Sequence, residues 1–378
     1  MSTLKVANIQ NPSTSSGGVS IDTSGHVTVD GVAMPSAGPL SNRNKIINGD
    51  MRIDQRNAGA SVTITTSAYT LDRWQGGASQ SSKYSVQQNA GSVTPPAGFV
   101  NYLGVTSLSA YSVLSTDNFF LQQPIEGLNI SDLAWGTASA STVTLSFWVR
   151  SSLTGTFGGT LVNSANNYSY PFTYTIGATN TWEQKTVIVT GPTAGTWLTT
   201  NGVGIRVNFG LGCGTSNSGT AGSWASSNFT SATGATSVVG TNGATFYITG
   251  VQLEVGSVAT PFEHRSYGDE LARCQRYYEE VGAFLTGMGL NTTTLECQIP
   301  FQQKRATANV GQISGRSAII RMLTGSADFV STNPVIANAT PGNNQVWTQV
   351  QNFSGLATNY PATGRGNSNN FIFVNAEL

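Results

Sequence analysis

Residues 168–176 read YSYPFTYTI, which sets Tyr168, Tyr170, Phe172, Tyr174 and Ile176 on one side of an extended chain. Ser169, Pro171, Thr173 and Thr175 take the other side. Aromatic rings in such a stripe can stack on the C–H faces of sugars, while tyrosine hydroxyls exchange hydrogen bonds with sugar hydroxyls. The same alternation also serves a sandwich core, and strands favour aromatics there. Pro171 points to an edge or irregular strand. Six tryptophans could add sugar-stacking surfaces: Trp74, Trp135, Trp148, Trp182, Trp197 and Trp224. Trp197 and Trp224 lie in loop-like sequence, where rings reach solvent most readily. For each tryptophan the competing role is packing.

Other chemistry is sparse. His264 sits between Glu263 and Arg265, but neighbours on an extended segment point to opposite faces and no second acid or nucleophile accompanies them. The expected role for His264 and Arg265 is hydrogen bonding across a joint. Phosphate-loop, zinc-protease, nucleophile-elbow and EF-hand motifs do not occur. A pair of distant carboxylates for glycoside hydrolysis leaves no local signature, but the long parallel-helix repeats of a depolymerase are not seen. A binding or structural protein rather than an enzyme is expected. Cys213, Cys274 and Cys297 are widely separated and read as reduced, buried thiols.

The elements that would hold these groups are mostly strands. Val143, Leu145, Phe147 and Val149 alternate with Thr144, Ser146, Trp148 and Arg150. Val203, Ile205, Val207 and Phe209 repeat the pattern. Inward parity switches between Phe246/Ile248 and Val251/Leu253/Val255, which calls for a β-bulge at Thr249-Gly250. Only 10% of the 378 residues are charged, 43 are Gly, and the formal net charge is zero. An electrostatic hold on nucleic acid or an acidic membrane is therefore not expected. No apolar run approaches a membrane-spanning length, and MSTLKVANIQNPSTSS has no signal-like apolar region.

Four segments follow. Residues 1–43 form an extended arm with a small hairpin, VSID and HVTVDGV around Thr-Ser-Gly. Residues 44–262 form a jelly-roll β-sandwich. Residues 263–282 form a helical joint, with Ser266 as N-cap and Asp269 three residues on. Its apolar face carries Tyr267, Leu271, Cys274, Tyr278 and Val281, and Gly282 is the expected stop. Residues 283–378 form a smaller β domain, whose last strand (Phe371, Ile372, Phe373, Val374) is apolar on both faces. The fold class is mainly β, with one helix.

Several stretches resemble virion proteins of tailed bacteriophages, chiefly tail fibres. They are KIINGDMRIDQRN with YTLDRW, YITGVQLEVGSVATPFEHRSYGDELARCQRYYEE, PFQQKRATANV and the opening MSTLKVANIQNPSTSSGGVSIDTSGHVTVDG. Residues 44–262 also resemble jelly-roll carbohydrate-binding modules. Those often open on Asn-Gly-Asp, as at Asn48-Gly49-Asp50, and close on a strand like Val251–Val255.

The resemblance implies a virion-located homotrimeric tail fibre. Its arm 1–43 would dock on another virion protein, and its body would contact host surface polysaccharide through Tyr168, Tyr170, Tyr174, Trp197 and Trp224. The alternative is a head decoration or head-fibre protein with a purely structural role. Binding modules of this kind often hold a structural calcium between first and last strands, which assigns Asp50, Asp72 and Glu254 as oxygen ligands. Pairing of these acids with Arg52 or Arg73 is the other expectation. His264, Arg265, Leu271 and Tyr278 are assigned to the joint and trimer contact.

Overall fold

The structure is a computed structural model that describes residues 8–9, 18–281, 285–313, 316, 318–322, 328–332, 334–342, 344–366 and 371–378. The chain divides into two compact units, Met1–Arg265 and Ser266–Leu378.

The first unit is a jelly-roll β-sandwich of two six-stranded antiparallel sheets. Its strands are β1 (Val62–Thr63), β2 (Ser67–Leu71), β3 (Trp74–Ala78), β4 (Tyr84–Gln88), β5 (Leu103–Ser107) and β6 (Asn118–Glu126). They continue with β7 (Val143–Ser151), β8 (Gly155–Asn163), β9 (Ser169–Ile176), β10 (Glu183–Val189), β11 (Val203–Cys213) and β12 (Thr245–Val255). One sheet runs β9-β8-β11-β6-β3-β2 and the other β10-β7-β12-β5-β4-β1. The period-two residues point between them. Phe119, Leu121, Phe147, Phe157, Leu161, Val207, Phe209, Phe246 and Leu253 are all fully buried. The rings of Phe147 and Phe209 meet edge to face across the layers at 5.1 Å. Pairing of β7 with β12 slips between Ser146/Gln252 and Trp148/Thr249, and Gly250 there has φ 61°. That bulge brings both Ile248 and Val251 into the core, as the parity switch requires.

The arm's described residues make a four-stranded sheet of short pieces, 8–9, 19–21, 27–29 and 32–33. Asp22 turns its hairpin by accepting from the N–H groups of Ser24 and His26.

Residues 44–53 enter the sandwich beside β12, and two buried asparagines fasten them. Asn44 donates to Val251 O and accepts from Leu253 N and Ile46 N. Asn48, in the left-handed region at φ 57°, donates to Ile53 O and Asp72 O and accepts from Ile53 N. Its own carbonyl receives the indole N–H of buried Trp74 at 3.0 Å. Gly49 is obligatory, because an added Cβ would lie 2.2 Å from Val251 O.

In the second unit the helix spans Tyr267–Gln275, and the Ser266 hydroxyl accepts from Asp269 N at 3.2 Å, as a cap must. The expected extension to 282 does not form. Lys304 donates to Gln275 O, and Tyr278–Val281 becomes a strand paired with Ile372–Asn375. The aromatic and β-branched character of that run overrides the helical period. Gly282 lies outside the described residues. Tyr267, expected on the packed face, is exposed. The Ile372–Asn375 strand lies between Tyr278–Val281 and Asn309–Gln312, with Ile372 and Val374 fully buried. A seven-stranded antiparallel sheet completes the unit around Leu295, Cys297, Ile299, Val346 and Val350. Among the described residues no helix is long and apolar enough to cross a membrane.

Replacing Asn48 by Ala strands three buried backbone groups, at about 1 kcal/mol or more each. Asn48→Ala should therefore lower the sandwich's thermal midpoint by roughly 6–12 °C, read by calorimetry. A midpoint within about 2 °C of the parent would refute the clamp.

Candidate functional site

The aromatic stripe divides between core and surface. Phe172, Tyr174 and Ile176 point between the sheets. Tyr174 stands edge-on to Phe147 at 4.9 Å, and its buried hydroxyl has no partner. Burial pushes its ionisation well above the ordinary tyrosine range. Tyr174 is therefore core and not a sugar platform, because its strand parity aims it inward. Trp197 is likewise buried, donates its N–H to Ala194 O and packs on Trp135. Only Tyr168, Tyr170 and Trp224 reach the surface, each half-buried. Tyr168 lies flat on Trp224, 5.6 Å away with 5° between planes, and Tyr170 leans on the same indole. Burial raises the Tyr170 hydroxyl's pKa above the ordinary tyrosine value. These rings close one margin of the core.

The three acids assigned to calcium are not brought together. Asp50 pairs with Arg52, and Asp72 accepts from the backbone and side chain of Gln55. Glu254 accepts from Thr260 N, Thr260 Oγ1 and Gln252, with the Arg43 guanidinium 3.4 Å away. Among the described residues no group of three His, Cys, Asp or Glu side chains is placed to hold a metal.

Of the residues assigned to a joint, His264 and Arg265 belong to the first unit and Leu271 and Tyr278 to the second. The His264 ring packs on Phe99 and Phe262, while Arg265 donates to the carbonyls of Ile46 and Asn44. Tyr278 is buried against Phe373, and Leu271 is half-buried. Glu263 accepts from Arg43 N and Asn44 N. Burial raises its pKa, but those donors together with Arg265 and Arg43 outweigh burial and hold the carboxyl below its ordinary range.

A further group was not visible in the sequence. Tyr69, Gln75, Gln122, Asn208, Thr160 and Pro171 are successive cross-strand partners. They form one continuous row across all six strands of the first sheet, on the face turned away from the core. Gln122 donates to Gln75 Oε1, and Asn208 donates to Thr160 Oγ1 at 2.9 Å. Asn208 is only 5% exposed, and its Oδ1 has no partner among the described residues. Beside the row stand Gly77, Gly158 and Gly210. Phe120 lies over the first, and the Ser231 hydroxyl lies over the other two. Ser231 Oγ is buried and unpartnered as well. Arg56 lies over the Tyr69 ring at 5.1 Å. Arg206 donates to Asn163 O, Ser164 O and Asn166, and burial lowers its pKa.

The row is polar from Tyr69 to Thr160 and is flanked by the Phe120 ring; its Thr160 end is fully buried, beneath the segment that carries Ser231. The row's partners lie between 6 and 86 residues apart in sequence, so no local pattern could have found it.

No protein-family model matches the chain, and no curated protein matches it. Among solved structures it is similar to the enzymatically active domain of tailspike protein 4 of bacteriophage CBA120, at TM-score 0.29 and 12% identity. The match covers 56% of this chain and 21% of that one. It is also similar to a family 11 carbohydrate-binding module of a Clostridium thermocellum cellulase, at TM-score 0.26 and 12% identity over 54% and 98% of the two chains. The same module in complex with a β-1,3-1,4-mixed-linked tetrasaccharide matches at TM-score 0.26 and 11% identity, over 55% and 100%.

Because its folded pKa is depressed, the Glu263 carboxylate stabilises the unit fully above the unfolded glutamate value of about 4.3. That contribution is lost as pH falls through the folded value. The thermal-midpoint difference between parent and Glu263→Gln should therefore shrink steadily from about pH 6 to about pH 3. Parallel midpoint curves over that range would contradict the assignment.

Proposed function

We propose that the chain is a non-catalytic glycan-binding protein of a phage virion, a tail-fibre type appendage. Its sandwich binds surface polysaccharide along the row from Tyr69 to Asn208. The observation that carries the glycan reading is the unpartnered, buried Asn208 Oδ1 within a track of amides and a hydroxyl. Such a track suits a polyhydroxylated ligand, each hydroxyl of which can donate and accept. The half-buried Phe120 ring beside it offers the apolar surface that a sugar's C–H face needs. Tyr168, Tyr170 and Trp224 form a second, smaller aromatic margin. The virion reading rests on the sequence stretches 45–57, 69–74, 247–280 and 300–310. The arm adds four exposed apolar side chains, Ile9, Ile21, Val29 and Val32, which suit attachment to another virion protein. Assembly as a homotrimer would let weak sites act together.

Purified chain should retain bacterial surface oligosaccharides on an array without shortening them. Gln122→Ala should weaken binding about tenfold, as expected for one lost hydrogen bond to a ligand, with the thermal midpoint held; Asn208→Ala should weaken it as much and also lower the midpoint by a few degrees, because buried Thr160 loses its donor. Unchanged affinity in both variants would remove the row as the site, and release of shorter oligosaccharides would overturn the non-catalytic reading.

The trimer is tested separately. Light scattering should report about three times the 39.6 kDa chain mass. A monomer at micromolar concentration would dismiss that part of the proposal.

A further inference from the structure

The second unit carries an open aromatic site of its own. In its seven-stranded sheet, Leu295, Cys297, Ile299, Val346 and Val350 face the core. Alternate residues of the same strands therefore face outward. Thr286, Gln298 and Trp347 are cross-strand partners in one row, and Met288 and Glu296 are partners in the next. Together with Pro300 and Gln345 they line a depression of about 560 Å³. That size lies within the range of small-ligand sites.

Trp347 differs from five of the other six tryptophans. The indoles of Trp74, Trp135, Trp182, Trp197 and Trp224 each donate to a backbone carbonyl. Trp347 is 54% exposed, and its N–H bonds to no described protein group. A large aromatic with an open face and a free donor has no packing role that accounts for it. The polar groups around it are ordered. Gln298 donates to Gln345 Oε1, which leaves Gln298 Oε1 as an acceptor and the Gln345 amide as a donor. Half-buried Glu296 adds a carboxylate acceptor.

The lining therefore holds a stacking surface, two kinds of acceptor and two donors. It includes a carboxylate but no cationic side chain. We propose that this depression is a second saccharide-binding site, independent of the sandwich row and selective for neutral sugars. The sugar ring lies on Trp347 and Met288, and its hydroxyls bond Gln298, Gln345 and Glu296. Phosphorylated or uronic-acid sugars are disfavoured, because their charge would meet Glu296 with no compensating cation. A second copy of the chain is the competing occupant. The concavity and the ordered amides favour a small polar ligand over a flat protein surface.

The test titrates the full-length chain with neutral oligosaccharides (cello-, malto- and manno-oligosaccharides) and with their uronic-acid counterparts. Parent, Trp347→Ala, Trp347→Phe, Glu296→Gln and Asn208→Ala are compared by calorimetry and tryptophan fluorescence. Trp347→Ala should weaken binding of a neutral oligosaccharide tenfold or more at one class of sites, with an unchanged thermal midpoint. Trp347→Phe should recover part of that loss, and Glu296→Gln should narrow the discrimination against acidic sugars. Asn208→Ala should leave this class of sites intact. Wild-type binding by Trp347→Ala overturns the inference while leaving the sandwich reading standing if Asn208→Ala still loses affinity. Loss of binding in Trp347→Ala alone sinks the sandwich reading instead. A Trp347→Ala variant whose only change is a lower mass in solution identifies the face as a contact between copies, and also overturns it. So does a panel in which no neutral sugar binds.

Discussion

The sandwich depends on how its entering segment is fastened to its closing strand. Residues 44–53 have no ladder partner of the ordinary kind over most of their length. Backbone bonds from Lys45 N to Leu253 O and from Val251 N to Gly49 O give isolated anchorage. The side-chain amides of Asn44, Asn48 and Gln123, the last bonding both the N–H and the carbonyl of Ile47, supply much of the rest, because one side-chain amide can donate and accept at once. Asn44 imitates a peptide group against β12, and Asn48 bridges the turn at Ile53 to Asp72. The N–H of Trp74 then ties this turn to the centre of the core. Arg265 closes the arrangement by bonding Ile46 O and Asn44 O, while its own carbonyl receives Arg52. The charge in this stretch is thus spent on holding two chain segments together where neither has a full strand partner.

The same constraint explains the bulge. β12 must pair with β7 along its length and still present Val251 and Leu253 to the core beside the entering segment. An unbroken ladder would turn either Phe246 and Ile248 or Val251, Leu253 and Val255 outward. Gly250 takes the left-handed conformation that absorbs the extra residue, and Phe99 fills the space above it, where a Cβ would meet the ring at 2.6 Å. The sequence-distant loop that carries Phe99 therefore depends on a glycine in the closing strand.

Much of the scaffold was legible. Inward parity in β7, β11 and β12, the parity switch and the Ser266 cap follow from local rules, and the structure places each as those rules require. The helix end was not legible, since Tyr277 through Val281 fit a helical face as well as a strand. Lys304 and the Ile372–Asn375 strand decide the matter from far along the chain. The aromatic stripe was half legible. Alternation put Tyr170, Phe172 and Tyr174 on one face, but which face was core depended on the opposite sheet. The polar row was not legible at all. Its members share no spacing, and only the registers of five strand pairings bring them into line.

What separates structure from function among these side chains is whether their polar atoms are already satisfied. Five indoles spend their only donor on a backbone carbonyl, and each lies in or against packed structure. The side chains that stand out are polar groups that packing has left unfinished: Asn208 Oδ1 and Ser231 Oγ over the first sheet, and the Trp347 N–H beside the paired amides of Gln298 and Gln345. A buried acceptor without a donor costs on the order of 1–3 kcal/mol. Tyr174 carries such a cost too, but its hydroxyl is sealed between the sheets, where no ligand can repay it. Asn208 bears it on an outward face, in a row of hydrogen-bonding groups beside an aromatic wall. The penalty is of the same kind at both positions; the two differ in that Tyr174 points between the sheets and Asn208 away from them.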